Sequence, residues 1–546
     1  MTRWRTAVEA WIASDPDGAC RRELLDLLER DDDAELERRF AQPLTFGTAG
    51  LRGEVMAGPA GMNRLTVRRA TQGVVRWLDG HDLRVTRGVV VGRDARHGSR
   101  EFADEVVAVL LGAGVDVFEL TQPLPTPFVP YLVKQLRAAA GIMITASHNP
   151  ARDNGYKLYA GDGAQIIPPD DEAVERFAQS ASPHPLLGER TSAQYHAIDD
   201  ELLERYRTHV LARFAPEGGS DLAITYTPLH GVGGETMRTL FTRAGYRALS
   251  VVDQQFDPDP NFSTLTFPNP EEPGALDLAT QRGDEVGSDL VIANDPDADR
   301  LGVAVREGQH WRVLRGDEVG WLLASALLDE GVTGDEVFAT SIVSSTLLKK
   351  LARDRGVHFV ETLTGFKWIA RAARDAHLTF GYEEALGYAV DALVADKDGL
   401  SSALALARLA HDLRARGQSV LDRLDELETR YGVHATTQVS LRLEGSAASN
   451  VLVARLRADP PHELGGLAVR EVVDLARGWR GLPPTDGLLL YLAEQGRVIV
   501  RPSGTEPKVK FYLELTAAPS AALARSRVAT WDRLGRVVVD VRALVA

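Results

Sequence analysis

Cysteine is almost absent from this chain: Cys20 is the single one in 546 residues. No intrachain disulfide can form, and no cysteine-based zinc cluster can be built. Long apolar runs are missing too, with none reaching the roughly 18 uninterrupted apolar residues of a membrane helix. The amino-terminal stretch, Met1-Thr-Arg-Trp-Arg followed by Glu9, Asp15 and Asp17, has no apolar signal core. Positive charge is in deficit, with 62 Lys+Arg against 77 Asp+Glu and a net charge of −15. Such a chain has no global attraction for nucleic acid or an anionic membrane. The expectation is a cytoplasmic protein with neither as partner. No strict internal repeat is present. Hydrophobic residues at 44% and charged residues at 25% are ordinary for a globular protein and exclude a mostly disordered or collagen-like chain. At roughly 150 residues per domain, the length implies about three or four domains.

The patterning supports that number. Helical spacing of Trp4, Val8 and Trp11, then Leu24, Leu25 and Leu28, predicts helices over 4–40, with Asp31-Asp32-Asp33 as a turn or cap. From residue 85 onward, β-branched runs alternate with helical segments. The first round has strands at 88–91, 115–120 and 141–145 and a helix at 100–111. The second has strands at 222–227, 248–252 and 290–293 and a helix at 234–244. The third has helices at 318–328 and 366–376 and strands at 337–340, 357–361 and 378–382. Three such rounds predict three α/β domains with mostly parallel sheets. The polar segment 179–194 reads as the first boundary. After Tyr431, strands at 488–492, 497–500 and 509–515 and a helix near 521–534 predict a smaller α+β domain.

Four loops carry chemistry. The first, Thr145-Ala-Ser-His-Asn-Pro-Ala-Arg-Asp-Asn-Gly-Tyr-Lys157, follows an apolar strand, so its polar groups sit at a strand's carboxyl end, where open α/β sheets bind ligands. Ser147 there needs a base, a metal or prior phosphorylation to react; an Asn-Pro turn with a hydroxyl cap is the competing reading. The second, Asn294-Asp-Pro-Asp-Ala-Asp-Arg300, alternates Asp295, Asp297 and Asp299. Three carboxylates on one side repel, and a hard cation such as Mg²⁺ relieves that repulsion. An EF-hand is excluded, because Arg300 and Arg306 fall where Gly and a bidentate Glu are required; a solvated acidic turn stays open. The third, Gly381-Tyr-Glu-Glu-Ala-Leu-Gly387, offers Glu383 and Glu384 as acceptors for sugar hydroxyls, or as an ordinary acidic pair. The fourth, Arg501-Pro-Ser-Gly-Thr-Glu-Pro-Lys-Val-Lys510, combines a guanidinium fork, two hydroxyls and a glycine, which suits a phosphate monoester, a decorated hairpin being the alternative. Together the four suggest phosphoryl transfer on a sugar phosphate.

With these motifs and Phe46-Gly-Thr-Ala-Gly-Leu-Arg-Gly53 and Thr364-Gly-Phe-Lys-Trp368 in order along the chain, the sequence resembles the α-D-phosphohexomutase superfamily, in its phosphoglucomutase-2-like branch. The resemblance implies three related α/β domains with mixed, mostly parallel sheets and a C-terminal α+β domain around a central cleft. The expected bounds are 1–190, 191–310, 311–430 and 431–546. It implies a phosphoglucomutase or phosphomannomutase working through phospho-Ser147 and a 1,6-bisphosphate, with one Mg²⁺ per subunit on Ser147, Asp295, Asp297 and Asp299. Glucose 1,6-bisphosphate would be the primer. It makes Arg52 and Arg300 cations beside the transferred phosphoryl group, Lys157 the acid/base candidate and His148 the serine's flank. Glu383, Glu384, Lys367 and Lys397 would bind the sugar, and Arg501, Ser503, Gly504, Thr505 and Lys510 the non-reacting phosphate. Partners would be small-molecule sugar phosphates, and the chain a monomer or dimer. Phosphopentomutase, glucose-1,6-bisphosphate synthase, phosphatase and a silent sugar-phosphate-binding paralogue are the rival readings. One departure stands out: Ala385 occupies a position where many phosphoglucomutases have Ser, so strict sugar discrimination is in doubt.

Overall fold

Leu-Val-Ile-Ala at 290–293 is apolar at every position, and the strand Leu290–Ala293 is buried on both faces, as the centre of a covered sheet requires. The computed structural model describes residues 3–46, 50–81, 87–373, 377–443, 448–502 and 508–544. It divides into two units, Met1–Leu314 with Gly387–Arg408, and Arg315–Leu386 with Leu409–Ala546.

The first unit begins with helices Arg5–Ser14, Gly18–Glu29 and Asp33–Phe40, which bury Val8, Trp11, Leu24, Leu28 and Leu36 together. Asp32 caps the third, its carboxylate accepting from the Glu35 N–H at 3.2 Å. Two mixed sheets follow. The first runs in the order Leu51–Glu54, Asp153–Ala160, Ala140–Ile144, Val89–Arg93, Val117–Glu119, Tyr195–Ala197. The second runs His310–Val313, Gly302–Glu307, Leu290–Ala293, Ser220–Thr227, Tyr246–Val251. In the first, Val89–Arg93, Val117–Glu119, Ala140–Ile144 and Tyr195–Ala197 run parallel, while Asp153–Ala160 is antiparallel to Ala140–Ile144 and to Leu51–Glu54. In the second, Ser220–Thr227 pairs in parallel with Tyr246–Val251 and Leu290–Ala293, and Gly302–Glu307 and His310–Val313 turn back antiparallel. The strands that turn back, Asp153–Ala160 and Gly302–Glu307, were not expected. Each returns from a loop that carries chemistry, and Asp153–Ala160 hides its strand character behind Asn154 and Lys157, polar residues that are nevertheless buried.

In the second unit, Glu336–Ser341 pairs in parallel with His358–Thr362 and His377–Glu383. The C-terminal sheet is antiparallel, with His434–Arg442, Lys508–Thr516, Arg497–Pro502, Leu488–Leu492 and Leu467–Asp474 side by side and helices Ala448–Ala458 and Leu523–Ala543 packed on it.

Three expectations change. Segment 179–194 does not end the first sheet, because Tyr195–Ala197 adds to it beside Val117–Glu119, and Arg190 in that segment bonds the Glu119 carboxylate at 2.7 and 2.8 Å. The helix expected over 366–376 is helical at Phe366–Ile369, with turns at 371–373, and 374–376 lie outside the described residues. The last helix extends to Ala543, since Leu534, Val537 and Val541 continue its buried face. No described helix is long and apolar enough to cross a membrane.

Candidate active site

The buried strand Ala140–Ile144 delivers the serine loop. The Ser147 main-chain N–H donates to Thr145 Oγ1 at 2.9 Å, and Ser147 takes φ +55°, a left-handed conformation uncommon for a residue with a side chain. Arg96 holds it there. Its guanidinium donates to the carbonyls of Ser147, Asn149 (2.6 Å), Pro150 (2.8 Å) and Asp153 (3.1 Å). One face of that guanidinium lies 4.8 Å over the Phe262 ring, and Asp94 is 3.3 Å away. Burial lowers the Arg96 pKa against the pull of Asp94 and raises that of Asp94. Ser147 Oγ donates to Asp295 Oδ2 at 2.8 Å and lies 3.2 Å from His148 Nδ1. Burial, then Arg300 and Arg52, push the His148 imidazole well below its ordinary value, so it is neutral near pH 7.

The second loop brings together the carboxylates of Asp295, Asp297 and Asp299, all buried, with one oxygen of each lying within 4.8 Å of the others. Lys157 Nζ donates to Asp297 Oδ2 and Asp299 Oδ2, both at 2.7 Å, and Thr126 Oγ1 donates to Asp297 Oδ2 at 2.6 Å. Arg300 N donates to Asp295 Oδ1 at 3.0 Å. Burial raises the Asp295 pKa well above the carboxylate range, helped by Asp297 and Asp299. Burial is the largest influence on Asp297 and Asp299 as well and opposes their ionisation, but Lys157 acting with the Thr126 hydroxyl on Asp297, and with Lys397 and Arg300 on Asp299, together hold both below the usual range. Two buried oxygens, Asp297 Oδ1 and Asp299 Oδ1, have no hydrogen-bond partner. Orphaned acceptors beside a carboxylate triad fit a hard cation with oxygen ligands.

Arg52 lies opposite Gly155 in the sheet, its Nε without a partner; burial lowers its pKa against the pull of Asp297 and Asp299. Arg300 reaches Glu271 at 3.5 Å. Gly399 lets the segment 396–399 lie against this loop, since a Cβ there would come within 2.8 Å of the Ala298 carbonyl. Lys397 Nζ thereby sits 3.2 Å from Asp299 Oδ2 and 3.4 Å from Asp396 Oδ1. The structure therefore joins Ser147, His148, Lys157, Arg52, Arg300, Lys397 and the three aspartates in one place.

The remaining candidates belong to the second unit. Glu383 Oε1 accepts from the Gly365 N–H at 2.7 Å, and Glu384 Oε2 from Ser344 Oγ at 3.0 Å. Lys367 is buried in Phe366–Ile369. Arg501 and Lys510 are cross-strand partners. Ser503, Gly504 and Thr505 lie outside the described residues. Reading the sequence missed Arg96 and Thr126. Arg96 follows the carboxyl end of Val89–Arg93, the kind of position that marked the other loops, and that signal alone would have found it.

Models of the phosphoglucomutase/phosphomannomutase family match residues 43–184 (alpha/beta/alpha domain I), 204–308 (domain II), 315–431 (domain III) and 449–530 (C-terminal domain). A probable phosphomannomutase of Haemophilus influenzae is 39% identical over 83% of this chain and 93% of its own length. The phosphopentomutase of Mus musculus is 35% identical over 93% of this chain and 90% of its own. A phosphoglucomutase of Staphylococcus aureus is 32% identical over 93% and 95%. Among solved structures, parafusin, a phosphoglucomutase from Paramecium, superposes with a TM-score of 0.71 at 18% identity, covering 92% of this chain and 96% of that one; at that identity it speaks for the fold alone. Four family domains in order and relatives matched along nearly their whole length lead to one conclusion: the chain belongs to the phosphoglucomutase/phosphomannomutase family of the α-D-phosphohexomutase superfamily and is a phosphotransferring mutase of the isomerase class.

Proposed function

We propose that the enzyme interconverts hexose 1-phosphates and hexose 6-phosphates, of glucose, mannose or both, through phospho-Ser147 and a 1,6-bisphosphate. The observation that carries this reading is the Ser147 hydroxyl, buried, held at φ +55° and 2.8 Å from the Asp295 carboxylate. A phosphoserine brings about −1.5 to −2 charge, which Arg52, Arg300 and Lys157 would offset. Asp295, Asp297 and Asp299 would hold Mg²⁺, with the orphaned Asp297 Oδ1 and Asp299 Oδ1 as the natural acceptors. When bound, the ion neutralises charge on the phosphoryl group and polarises its oxygens. His148, neutral, offers Nδ1 to the serine oxygen. Lys157 would be the acid/base group: as the amine it would take the proton of the attacking sugar hydroxyl, and as the ammonium return one to the sugar oxygen that loses its phosphoryl group.

Arg501, Ser503, Gly504, Thr505 and Lys510 would grip the phosphate that is not reacting, while Glu383, Glu384, Lys367 and Lys397 read the ring. Glucose 1,6-bisphosphate would restore a lost phosphate to Ser147. The bisphosphate must turn end for end between two transfers, so recognition has to serve two orientations. Loose hydroxyl reading suits that need, and Ala385, which offers no side-chain hydrogen bond, is consistent with it. The setting would be the cytoplasm, as monomer or dimer.

A phosphopentomutase is the second reading, favoured by Ala385 and by relatives of that name; a glucose-1,6-bisphosphate synthase is a further member of this branch. Kinetics on glucose, mannose and ribose 1-phosphates, with and without a 1,6-bisphosphate primer, decide between them, together with intact mass before and after phosphatase. Hexose turnover, primer dependence and a phosphoryl group mapped to Ser147 are expected. Ribose 1-phosphate outpacing both hexoses would move the function to the pentomutase, and binding without turnover would make the chain a silent paralogue.

A further inference from the structure

The turn bearing Glu384 is fastened by a neighbouring turn and, through it, by the C-terminal sheet. The Glu384 N–H donates to Ser344 Oγ at 3.1 Å, and the Ser344 hydroxyl donates to Glu384 Oε2 at 3.0 Å. Ser341 Oγ lies 2.9 Å from Ser344 Oγ and 3.4 Å from Glu384 Oε2. Both serines are buried. On the other side of Glu384 the chain packs so closely against Gly316 that a Cβ there would collide with the Glu384 carbonyl.

The turn 341–346 is itself gripped. Arg497 Nη1 donates to the Ile342 carbonyl at 3.0 Å, and Nη2 donates to the Ser344 carbonyl. Arg497 Nε donates to Glu514 Oε2 at 2.7 Å across the ladder. Glu514 Oε1 accepts from Ser345 Oγ and from the Thr346 N–H, both at 2.8 Å, and His434 Nδ1 lies 2.9 Å away. Arg497 and Glu514 are buried, so these charge-assisted bonds are fixed in number and direction. Arg497 opens the strand Arg497–Pro502, and Arg501 follows on the same face of that strand, since side chains repeat every two residues.

We propose that Ser344 is a positioning residue for sugar recognition, and that Arg497 and Glu514 tie the turn it organises to the strand that carries Arg501. Glu384 and Arg501 are then set by one connected piece of structure. Ser344 orients the carboxylate and does not touch the ligand, its hydroxyl being engaged within the protein. The inference rests on assigning Glu383 and Glu384 to the sugar.

The test is Ser344→Ala with Ser344→Thr as the rescuing variant, assayed on glucose 1-phosphate and ribose 1-phosphate in the full-length enzyme. Loss of the anchor should raise KM for glucose 1-phosphate about tenfold while kcat changes by less than about threefold, and the glucose-to-ribose ratio of kcat/KM should fall. Ser344→Thr should recover both. Loading of Ser147 by glucose 1,6-bisphosphate, read by intact mass, should match wild type. Arg497→Lys, which keeps the charge but loses the fork, should shift KM and the ratio in the same direction and serves if Ser344→Ala does not fold. Unchanged KM and ratio overturn the proposal, as does an equal decline on both sugars that tracks loss of folded protein in thermal unfolding. A wild type that loads Ser147 yet turns over neither sugar phosphate overturns the sugar assignment beneath it, a result distinct from an unchanged Ser344→Ala.

Discussion

The serine and aspartate cluster of the first unit and the group Glu383, Glu384 and Arg501 of the second treat charge in opposite ways. In the first, Ser147, Lys157, Asp295, Asp297 and Asp299 are each at most 1% exposed, and Lys157 pairs with one oxygen each of Asp297 and Asp299 while the other oxygen of each has no hydrogen-bond partner. In the second, Glu383, Glu384 and Arg501 are half-buried and are held by serine hydroxyls, a main-chain N–H and strand pairing. A low local dielectric strengthens every interaction of the first set and makes an unpaired atom there costly. The groups proposed to hold a fixed charge pattern for phosphoryl transfer thus lie in the interior. The groups proposed to read a sugar in two orientations are partly open to water. The contrast implies that changes in the first unit strike turnover, and changes in the second strike KM and selectivity.

The most severe test is Ser147→Ala, which should lower kcat by at least ~10³-fold while the fold survives; full activity would remove the nucleophile assignment and the contrast with it. Asp297→Asn keeps the shape but removes the charge facing Lys157 and Thr126. Mg²⁺ affinity by calorimetry should fall at least about tenfold, with kcat down roughly 10²–10³-fold, and chelation should silence the wild type. Arg96→Lys should lower kcat by about 10²-fold with little change in KM, because one ammonium cannot serve the carbonyls that the guanidinium gathers and the serine drifts from its line of attack. An effect confined to KM would contradict the contrast. In the second unit, Arg501→Lys should raise KM by about tenfold and lower kcat by less, since Lys cannot copy a bidentate grip on phosphate; equal KM values would contradict its role. No substitution is needed for the last test: the wild type's preference between glucose and mannose phosphates is expected within about two powers of ten in kcat/KM, and a preference above ~10⁴-fold would defeat loose reading.

How much was legible from residues varies by element. Leu290–Ala293 and Leu488–Leu492 match the expected bounds, because apolar runs bounded by polar residues announce buried strands. Asp153–Ala160 was invisible for the opposite reason: Asp153, Asn154 and Lys157 break the alternation, yet they are partnered by Asn149, by Ser99 and by the aspartate pair. The short helix Phe366–Ile369 looked longer because Ala370, Ala372 and Ala373 favour helix, a weak preference that tertiary context overrides.

The chemistry proposed for the site is read from local sequence. A serine after a buried strand, three alternating aspartates, two glutamates at a strand end and a basic, hydroxyl-rich loop each carry meaning over a few residues, because ligand-binding groups cluster where strands end. Partnership is not. That Lys157 spans Asp297 and Asp299 across 140 and 142 residues of chain, that Arg96 gathers the carbonyls of the serine loop, and that Arg497 grips the turn behind Glu384 all depend on which strands lie side by side. Hydrogen bonds and ion pairs reach about 3 Å, and folding alone brings groups so distant in sequence within that range.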